Sequence, residues 1–388
     1  VHGGNVLYLS TEDGGFLMRK RNLVCAGAIA ICLASGALRA TDDKPKQTPC
    51  PLRCTPKTNT SYIDAAGTAH VTRVVPVPPT LSPLAQEFVA RRIPDIPGAG
   101  SALNYWGDQQ RAAKLAQTMY PVHLGRTVIA GVPVKTVTPL MEPAKNRARV
   151  LIDLHGGGFV GDGGSWQESI PIGYLTQTKV IAVLYRVAPK YPFPAAVDDV
   201  VAVYRQLLKT YRPQDMAMYG TSAGAMLTPE VCVRLRQLGL PLPGALGIFA
   251  GQGDFSTAAK ADSRSLFTQD GLGGHLNSPA TDGALVEYMG SADPKNPVLS
   301  PIFADLHHFP PTLFVTSERD MMLSGTIILH RAFLRSGNDA RLVVFEGLPH
   351  GFWYDPYLPE SKEADRMMAS FFEKKLELIG KFREPYVW

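Results

Sequence analysis

Short runs of apolar residues and longer amphipathic stretches follow each other along the second half of the chain. Val150–Leu154 and residues 180–185 are two of the apolar runs, and residues 195–211 carry apolar side chains at helical spacing. Apolar runs without strict alternation are typical of strands that are buried on both faces of a parallel sheet. The order therefore predicts strands that are connected by helices.

The same alternation continues toward the end of the chain. We predict further strands over residues 216–219, 245–250, 312–316 and 341–345, and helices over residues 225–238 and 325–335. Strands that alternate with helices from about Val128 onward indicate an α/β fold with a mostly parallel, doubly wound sheet. Ligand sites in such sheets lie at the carboxyl ends of the strands, and functional side chains are expected there.

Two segments interrupt the alternation. Residues 80–118 have helical character that is broken by Pro94 and Pro97, and residues 254–300 have no regular pattern. Because proline kinks or ends a helix, neither segment fits a long helix that packs along the sheet. We expect these segments, chiefly the amino-terminal one, to form a small helical cap over the functional site.

The first forty residues have the pattern of an export signal. A basic cluster at residues 19–21 precedes an apolar stretch, residues 23–33, and small residues follow as far as Ala37. The apolar stretch is shorter than the roughly 20 residues that a membrane-spanning helix needs. We predict an upstream extension and a signal peptide over residues 1–40, running from Met18 to about Ala37. The expected location is periplasmic or secreted, without stable membrane insertion after cleavage.

A linker is expected between this signal and the main domain. Residues 41–79 are rich in Pro, Thr and Lys, which is typical of flexible connecting segments. Cys50 and Cys54 lie close enough in sequence to close a small disulfide loop in an oxidising compartment, and their pairing stays open. The main domain is then expected over residues 80–388.

Composition and charge narrow the classes of function. The 388-residue chain is 45% hydrophobic and 19% charged, with a net charge of +5. This balance excludes a disordered or acidic tail protein. Beyond residues 19–21 no Lys and Arg cluster stands out, so no nucleic-acid partner is expected. Cys and His are not grouped at the spacing of a zinc site, and we expect neither a metal nor another cofactor.

A serine stands between two glycines where a predicted strand passes into a predicted helix. The motif is Gly220-Thr221-Ser222-Ala223-Gly224. A sharp turn at this point would hold the Ser222 hydroxyl out above the sheet, and glycine is needed where a Cβ would collide with neighbouring backbone. Ser222 is therefore the candidate nucleophile, although an ordinary glycine-rich turn has the same composition.

A second glycine-rich motif follows the strand that ends at residue 154. It consists of His155 and residues 156–158, which are all glycine. Backbone N–H groups can approach a ligand closely there, so Gly157, Gly158 and Ala223 are candidates for an oxyanion hole. A phosphate-binding loop would need a following Lys-Ser/Thr pair, which is missing. His155 is interpreted as an anchor for this loop rather than as a base.

A serine nucleophile needs a base and a group that orients the base. His350 lies after the last predicted strand, and Asp320 lies just past the strand before it, so both fall at the same sheet edge as Ser222. The chain order Ser, Asp, His is the order found on α/β-hydrolase folds. Glu318 is a lesser candidate for the acid.

Taken together, these motifs resemble the hormone-sensitive-lipase-like family of bacterial esterases, in its GTSAG-type branch. The resemblance covers roughly residues 80–380 and implies an α/β-hydrolase catalytic domain with a cap. It implies a catalytic triad of Ser222, Asp320 and His350, and an oxyanion hole of Gly157, Gly158 and Ala223. The segments that carry it are residues 155–159 (HGGGF), 185–189 (YRVAP), 191–199 (YPFPAAVDD), 220–224 (GTSAG), 297–306, Asp320 and 350–352 (HGF).

Three positions depart from the pattern that is common in the family. Thr221 replaces an aspartate before the serine, Ala225 replaces a frequent glycine, and Gly325 stands where many members carry a second acidic residue. None of these positions belongs to the implied triad. The last departure leaves Asp320 without its usual supporting neighbour.

Three functions from different classes can be weighed against these residues. A serine carboxylesterase would use all three residues of the triad, whereas non-catalytic receptors of this fold characteristically lose one of them. An amidase or peptidase would need to protonate a leaving amine and to recognise a peptide. We predict a carboxylesterase for short-chain acyl esters, because no long apolar lid is visible. Its expected partner is a small-molecule ester, and the sequence leaves a homodimer open.

Overall fold

The computed structural model describes residues 11–12, 15–16, 59–72, 74–90, 109–256, 263 and 280–382. The chain divides into a smaller unit, Val1–Val74, and a larger unit, Val75–Trp388. The predicted signal peptide and both Cys50 and Cys54 lie outside the described residues.

Two short antiparallel strand pairs are present in the smaller unit. One joins Thr11–Glu12 to Gly15–Phe16, and the other joins Thr60–Ile63 to Ala69–Thr72. The second pair falls within residues 41–79, for which a flexible linker is predicted. Part of that segment is therefore a folded hairpin rather than an extended connection.

Local side-chain chemistry explains the turn of this hairpin. Asp64 Oδ1 accepts the backbone N–H groups of Ala66 and Thr68, each at 2.9 Å. Across the strands, the rings of Tyr62 and His70 stack with their centroids 4.5 Å apart. An aspartate that bonds its own turn and a stacked cross-strand pair favour a hairpin, and composition alone does not reveal either feature.

The larger unit is built around an eight-stranded sheet. The strands are β1 (Val122–Ile129), β2 (Val132–Pro139), β3 (Val150–Leu154), β4 (Val180–Val183), β5 (Met216–Thr221), β6 (Ala245–Phe249), β7 (Thr312–Arg319) and β8 (Ala340–Pro349). Their order in the sheet is β1-β2-β4-β3-β5-β6-β7-β8. The pairs β1/β2 and β2/β4 are antiparallel, and the other five pairs are parallel. The predicted α/β class with a mostly parallel sheet is confirmed.

Helices cover both faces of this sheet, as expected for a doubly wound fold. The described helices are α1 (Pro83–Ala90), α2 (Gln109–Met119), α3 (Ser165–Thr176), α4 (Ala195–Leu207), α5 (Ala223–Gln237), α6 (Ala280–Met289), α7 (Leu323–Arg335) and α8 (Pro359–Leu376). Helices α4, α5, α6 and α7 contribute to one hydrophobic core, and α1, α2, α3 and α8 contribute to the other.

Strand β3 shows why its sequence is a continuous apolar run. Val150, Ile152 and Leu154 lie in one core, whereas Leu151 lies in the other. Successive side chains of a strand point to opposite faces, so a strand that is covered on both faces needs apolar residues throughout. Asp153 is the exception, and it is fully buried.

The antiparallel edge of the sheet begins earlier than the sequence predicts. Strands β1 and β2 form a hairpin whose turn residues Ala130 and Gly131 both have positive φ, 51° and 83°. Two such residues in a row match the turn that suits the twist of a hairpin. A polar, half-exposed strand such as β1 has no continuous apolar run, which is why the predicted pattern starts only near Val128.

The predicted cap is described only in part, because residues 91–108, with Pro94 and Pro97, and residues 264–279 lie outside the described residues. Helix α1 is anchored through Ser82, whose N–H and hydroxyl donate to the Glu360 carboxylate at 2.7 and 2.9 Å. None of the helices in the described part of the chain is long and apolar enough to cross a membrane.

Candidate active site

Ser222 lies on a sharp turn between the last residue of β5 and the first residue of α5. Its φ of 58° and ψ of −119° are unusual for a residue with a side chain. A Cβ at Gly220 would lie 2.2 Å from Leu154 O, and one at Gly224 would lie 1.6 Å from the same oxygen. Only glycine therefore allows β3, the turn and α5 to approach so closely. The turn leaves Ser222 half-buried and reachable.

Sheet register brings the predicted acid and base together. Strands β7 and β8 are parallel neighbours, and Arg319 is paired with Pro349 at their carboxyl ends. Asp320 is the first residue after β7, and His350 is the first residue after β8. The two side chains therefore leave the sheet at the same point, although 30 residues separate them along the chain.

A short hydrogen bond joins these two side chains. His350 Nδ1 lies 2.6 Å from Asp320 Oδ1, and the Asp320 side chain is fully buried. The carboxyl group also accepts the Thr316 hydroxyl and the Met322 N–H, both at 2.7 Å. A carboxylate held by this many donors keeps the Nδ1 proton on His350, which leaves Nε2 as the basic nitrogen of the ring.

Glu318, the lesser candidate for the acid, has a different place. Its side chain is exposed, and its Oε2 accepts the Gly347 N–H at 3.3 Å. It is Asp320, not Glu318, that carries the hydrogen bond to the Nδ1 of His350.

The glycine-rich loop after β3 runs beside the Ser222 turn. A Cβ at Gly156 would lie 3.3 Å from the Cβ of Ser222. Gly157 and Gly158 have φ of 105° and 62°, and a Cβ at Gly157 would lie only 2.3 Å from Gly161 O. The loop thus has a shape that side chains would prevent.

This loop and helix α5 present three backbone N–H groups near the serine. The described backbone hydrogen bonds use neither the Gly157 nor the Gly158 N–H as a donor. Ala223 is the first residue of α5, and an N–H at that position has no acceptor within the helix. In the described part of the chain, none of these three N–H groups donates to a backbone carbonyl.

His155 is placed as an anchor of the loop. It is buried, its Nδ1 lies 2.8 Å from Gly156 O, and its ring stacks on Tyr185 at 4.1 Å between centroids. The Tyr185 hydroxyl donates to the His155 carbonyl at 2.5 Å. Burial lowers the pKa of His155, so the ring is neutral at neutral pH.

Two of the three departures from the family pattern have a structural explanation. Thr221 is buried, and its hydroxyl accepts the Trp353 Nε1–H at 3.0 Å. A Cβ at Gly325 would lie 2.5 Å from the Cβ of Gln252, so an acidic side chain has no room there. The carboxyl group of Asp320 is instead supported by Thr316 and Met322.

Several buried polar residues behind the site do not follow from the motifs. Glu168 on α3 and Asp153 on β3 are both buried, and the Tyr354 hydroxyl donates to Glu168 Oε1. Lys135 is also buried and bonds Asp162 at 2.6 Å. The sequence signal that could have revealed Glu168 is that it is a single glutamate within the apolar stretch of α3.

The described residues contain no group of three or more His, Cys, Asp or Glu side chains that could hold a metal ion.

Comparison with known proteins gives the family of this chain. A family model described as alpha/beta hydrolase fold matches residues 151–354. An acetyl-hydrolase of Streptomyces hygroscopicus is 34% identical over 244 residues, which cover 60% of this chain and 77% of that protein. An esterase of Acinetobacter venetianus is 27% identical over 232 residues, which cover 58% of this chain and 74% of that protein.

Solved structures agree with this result. An esterase named E25 superposes with a TM-score of 0.67 at 30% identity, covering 79% of this chain and 98% of its own. An esterase from the bacterial hormone-sensitive lipase family superposes with a TM-score of 0.62 at 28% identity, covering 73% of this chain and 94% of its own. The resemblance seen in the sequence motifs is confirmed. The chain belongs to the bacterial hormone-sensitive-lipase-like esterases of the α/β-hydrolase fold and is a carboxylic ester hydrolase.

Proposed function

We propose that this esterase hydrolyses short-chain acyl esters through an acyl-enzyme on Ser222. The observation that carries the proposal is the bond of 2.6 Å between His350 and the buried Asp320, at the sheet edge where Ser222 stands on its strained turn. A base with a fixed tautomer and a half-buried serine at the same sheet edge are the groups that nucleophilic catalysis requires.

Acylation begins when His350 Nε2 takes the proton of the Ser222 hydroxyl and Oγ attacks the ester carbonyl. The carbonyl oxygen becomes an oxyanion, and the N–H groups of Gly157, Gly158 and Ala223 stabilise it. One such donor contributes about 3 kcal/mol to lowering the barrier. His350 then gives its proton to the leaving alcohol, and the acyl group stays on Ser222.

Deacylation repeats these steps with water. His350 takes a proton from water, the hydroxide attacks the acyl carbonyl, and the proton returns to Ser222 Oγ as the acid leaves. Asp320 keeps the Nδ1–H of His350 in place and stabilises the imidazolium that forms in both halves. Hydrogen bonds with Thr316, Met322 and His350 hold the Asp320 carboxyl group in place for this role.

Two other functions have less support. A non-catalytic ligand-binding protein would not need the His350–Asp320 bond. An amidase or peptidase would use the same residues, but the relatives that match this chain are named as esterases and an acetyl-hydrolase. Those names favour an ester, and the acetyl-hydrolase favours a short acyl group.

Acyl-chain length tests this proposal with purified protein and chromogenic esters from acetyl to palmitoyl. We expect kcat/KM to be greatest for acyl chains of about two to six carbons and to fall above about ten. A long apolar tunnel would add roughly 0.8 kcal/mol for each buried methylene. The proline-interrupted segment 80–118 argues against such a tunnel. Ser222→Ala protein on the same esters is the control for background hydrolysis, and a steady rise to sixteen carbons would indicate a lipase instead.

Export is a separate part of the proposal, and it rests on the order of basic, apolar and small residues before Leu38. In a secreting bacterial host we expect the mature protein to begin near Leu38 or Thr41. Amino-terminal sequencing of the periplasmic and secreted fractions measures this directly. Soluble cytoplasmic protein with an intact Met18 end would contradict it.

A further inference from the structure

Two carboxyl groups are buried side by side behind the glycine-rich loop. Asp153 lies on β3 and Glu168 in the first turns of α3, and both are inaccessible to solvent. Asp153 Oδ2 accepts the Ser169 hydroxyl at 2.5 Å, and Glu168 Oε1 accepts the Tyr354 hydroxyl. The second oxygen of each carboxyl, Asp153 Oδ1 and Glu168 Oε2, has no donor among the described residues.

One proton shared between the two carboxyl groups would satisfy both remaining oxygens. Burial raises the pKa of Glu168, and the adjacent Asp153 raises it further through its charge and a side-chain hydrogen bond. Lys135, whose charge acts on Asp153, is already bonded to Asp162 at 2.6 Å and to the Ser165 hydroxyl at 2.7 Å. The raised pKa favours the protonated form of Glu168, which could donate to Asp153 while it accepts from Tyr354.

Tyr354 connects this acid to the loop that carries His350. It lies four residues after His350, and its ring packs on the glycine-rich loop: a Cβ at Gly164 would lie 2.8 Å from the ring, and one at Gly156 would lie 3.3 Å from the hydroxyl oxygen. The Tyr354–Glu168 bond spans 186 residues of sequence. It therefore joins the loop after β8 to helix α3, which begins where the glycine-rich loop ends.

The residue before the nucleophile belongs to the same network. Trp353 donates its Nε1–H to the Thr221 hydroxyl at 3.0 Å. Burial raises the pKa of the Glu168 carboxyl, and the nearby Thr221 hydroxyl acts in the opposite direction and lowers it. Trp353 and Tyr354 are adjacent in sequence, and they bond Thr221 and Glu168, respectively. These two bonds connect the loop after β8 to the end of β5, just before Ser222, and to helix α3.

We propose that Tyr354 and Glu168 form a positioning pair, which holds the loop carrying His350 in register with the glycine-rich loop and with Thr221 before Ser222. The inference rests on the proposed function, because it concerns the alignment of Ser222, His350 and the oxyanion donors. Glu168 is buried and does not touch substrate. The pair acts through the residues that it aligns, since a small misplacement of a reacting group lowers the rate of the chemical step.

Glutamine is the substitute that separates the hydrogen bonds from the carboxyl group itself. A glutamine side chain at position 168 can accept the Tyr354 hydroxyl with its carbonyl oxygen and donate to Asp153 with its amide nitrogen. Alanine can do neither, and phenylalanine at position 354 removes the donor from the other side. The proposal therefore predicts that Glu168→Gln keeps most of the wild-type kcat and that Glu168→Ala loses it.

The experiment compares Tyr354→Phe, Glu168→Gln and Glu168→Ala with the wild type, using kcat and KM for an acetyl ester and the melting temperature. We expect Tyr354→Phe and Glu168→Ala to lower kcat about tenfold or more with KM within about twofold, because substrate contacts are unchanged. Glu168→Gln should stay within about threefold of the wild-type kcat.

Tyr204→Phe is the matched control. Tyr204 is a buried tyrosine of α4 whose hydroxyl donates to Pro241 O at 3.0 Å, away from the site. The Tyr204→Phe substitution should lower the melting temperature as Tyr354→Phe does, and it should leave kcat unchanged. If either Tyr354→Phe or Glu168→Ala does not fold, the other variant measures the same loss from the opposite side of the bond.

The outcomes separate this inference from the function on which it rests. If Ser222→Ala is inactive while the folded Tyr354→Phe and Glu168→Ala proteins keep the wild-type kcat, the positioning pair is refuted and the proposed function stands. A tenfold loss in well-folded Glu168→Gln would also refute it, because that variant keeps both bonds. If Ser222→Ala retains full activity, the proposed function fails and this inference fails with it.

Discussion

Replacement of Ser222 by alanine is expected to lower kcat for acetyl and butyryl esters by more than about 10⁴-fold, as triad deletions do in other serine hydrolases. The hydroxyl oxygen is the atom that forms the acyl-enzyme, and alanine offers no replacement for it. The fold should persist, because alanine meets the same backbone strain at φ 58° as serine does. Steady-state kinetics and thermal unfolding of both proteins measure the two expectations.

A covalent label gives a second readout of the same expectation. Phenylmethylsulfonyl fluoride should modify the wild-type protein on the peptide that contains Ser222 and leave the Ser222→Ala protein unmodified, because the reagent needs an activated serine. Mass spectrometry of the digested proteins locates the adduct. A variant that keeps more than a few per cent of the activity, or a label on another serine, would contradict the assignment of the nucleophile.

The second large effect is expected for Asp320→Asn, with a loss of about 10³- to 10⁴-fold in kcat. The amide group can offer an N–H to His350 Nδ1, which would move the ring proton to Nε2 and leave no base facing the serine. The ring would also lose the charge that stabilises its imidazolium form. KM should change little, because the buried Asp320 does not face the substrate.

Glu318→Gln is the control for this result. It also converts an acid at the end of β7 into an amide, but Glu318 bonds the Gly347 N–H and not His350. We expect a kcat close to that of the wild type. The reverse result, a large loss at Glu318 and a small one at Asp320, would mean that the acid is assigned to the wrong carboxylate.

The backbone strain at Ser222 and the close approach of Gly220 and Gly224 to Leu154 O both require neighbouring strands to hold the turn in place. A side-chain residue in this backbone region costs on the order of 1–3 kcal/mol, and surrounding contacts have to hold it there. Here the Ser222 N–H donates to Phe249 O at 2.9 Å, and Gly220 and Gly224 both lie against Leu154 O. Ser222, the proposed nucleophile, is therefore held by β3 and β6, on either side of its own strand, rather than by the motif alone.

Apolar runs and glycine motifs carried most of the information in the sequence. A strand that is buried on both faces must be apolar along its length, so β3, β4, β5, β6 and β7 are visible without any structure. Glycines before and after Ser222 mark a turn that no other residue allows. The order of Ser222, Asp320 and His350 at successive strand ends follows from these elements, because parallel strands end at one edge.

Other features have no local signal. The hairpin of Thr60–Ile63 with Ala69–Thr72 depends on the turn bonds of Asp64, and the β1–β2 hairpin is polar on its outer face. The choice of Asp320 over Glu318 depends on where β7 and β8 are paired, since both carboxylates lie at the same strand end. The sequence motifs favour Asp320 and leave Glu318 as a lesser candidate, and the pairing of β7 with β8 is what puts Asp320 beside His350.

The amino-acid sequence by itself determined the α/β class, the esterase family and the residue types at the proposed reacting positions Ser222, Asp320 and His350. Each of these follows from local patterns of burial, turns and chemistry. The tertiary structure decided which buried polar groups meet. Glu168, Asp153, Thr221 and Tyr354 come from four separate elements, and the Tyr354–Glu168 bond closes 186 residues of chain. Hydrogen bonds between side chains depend on ångström-scale placement by the packed core, and no spacing along the sequence encodes that placement.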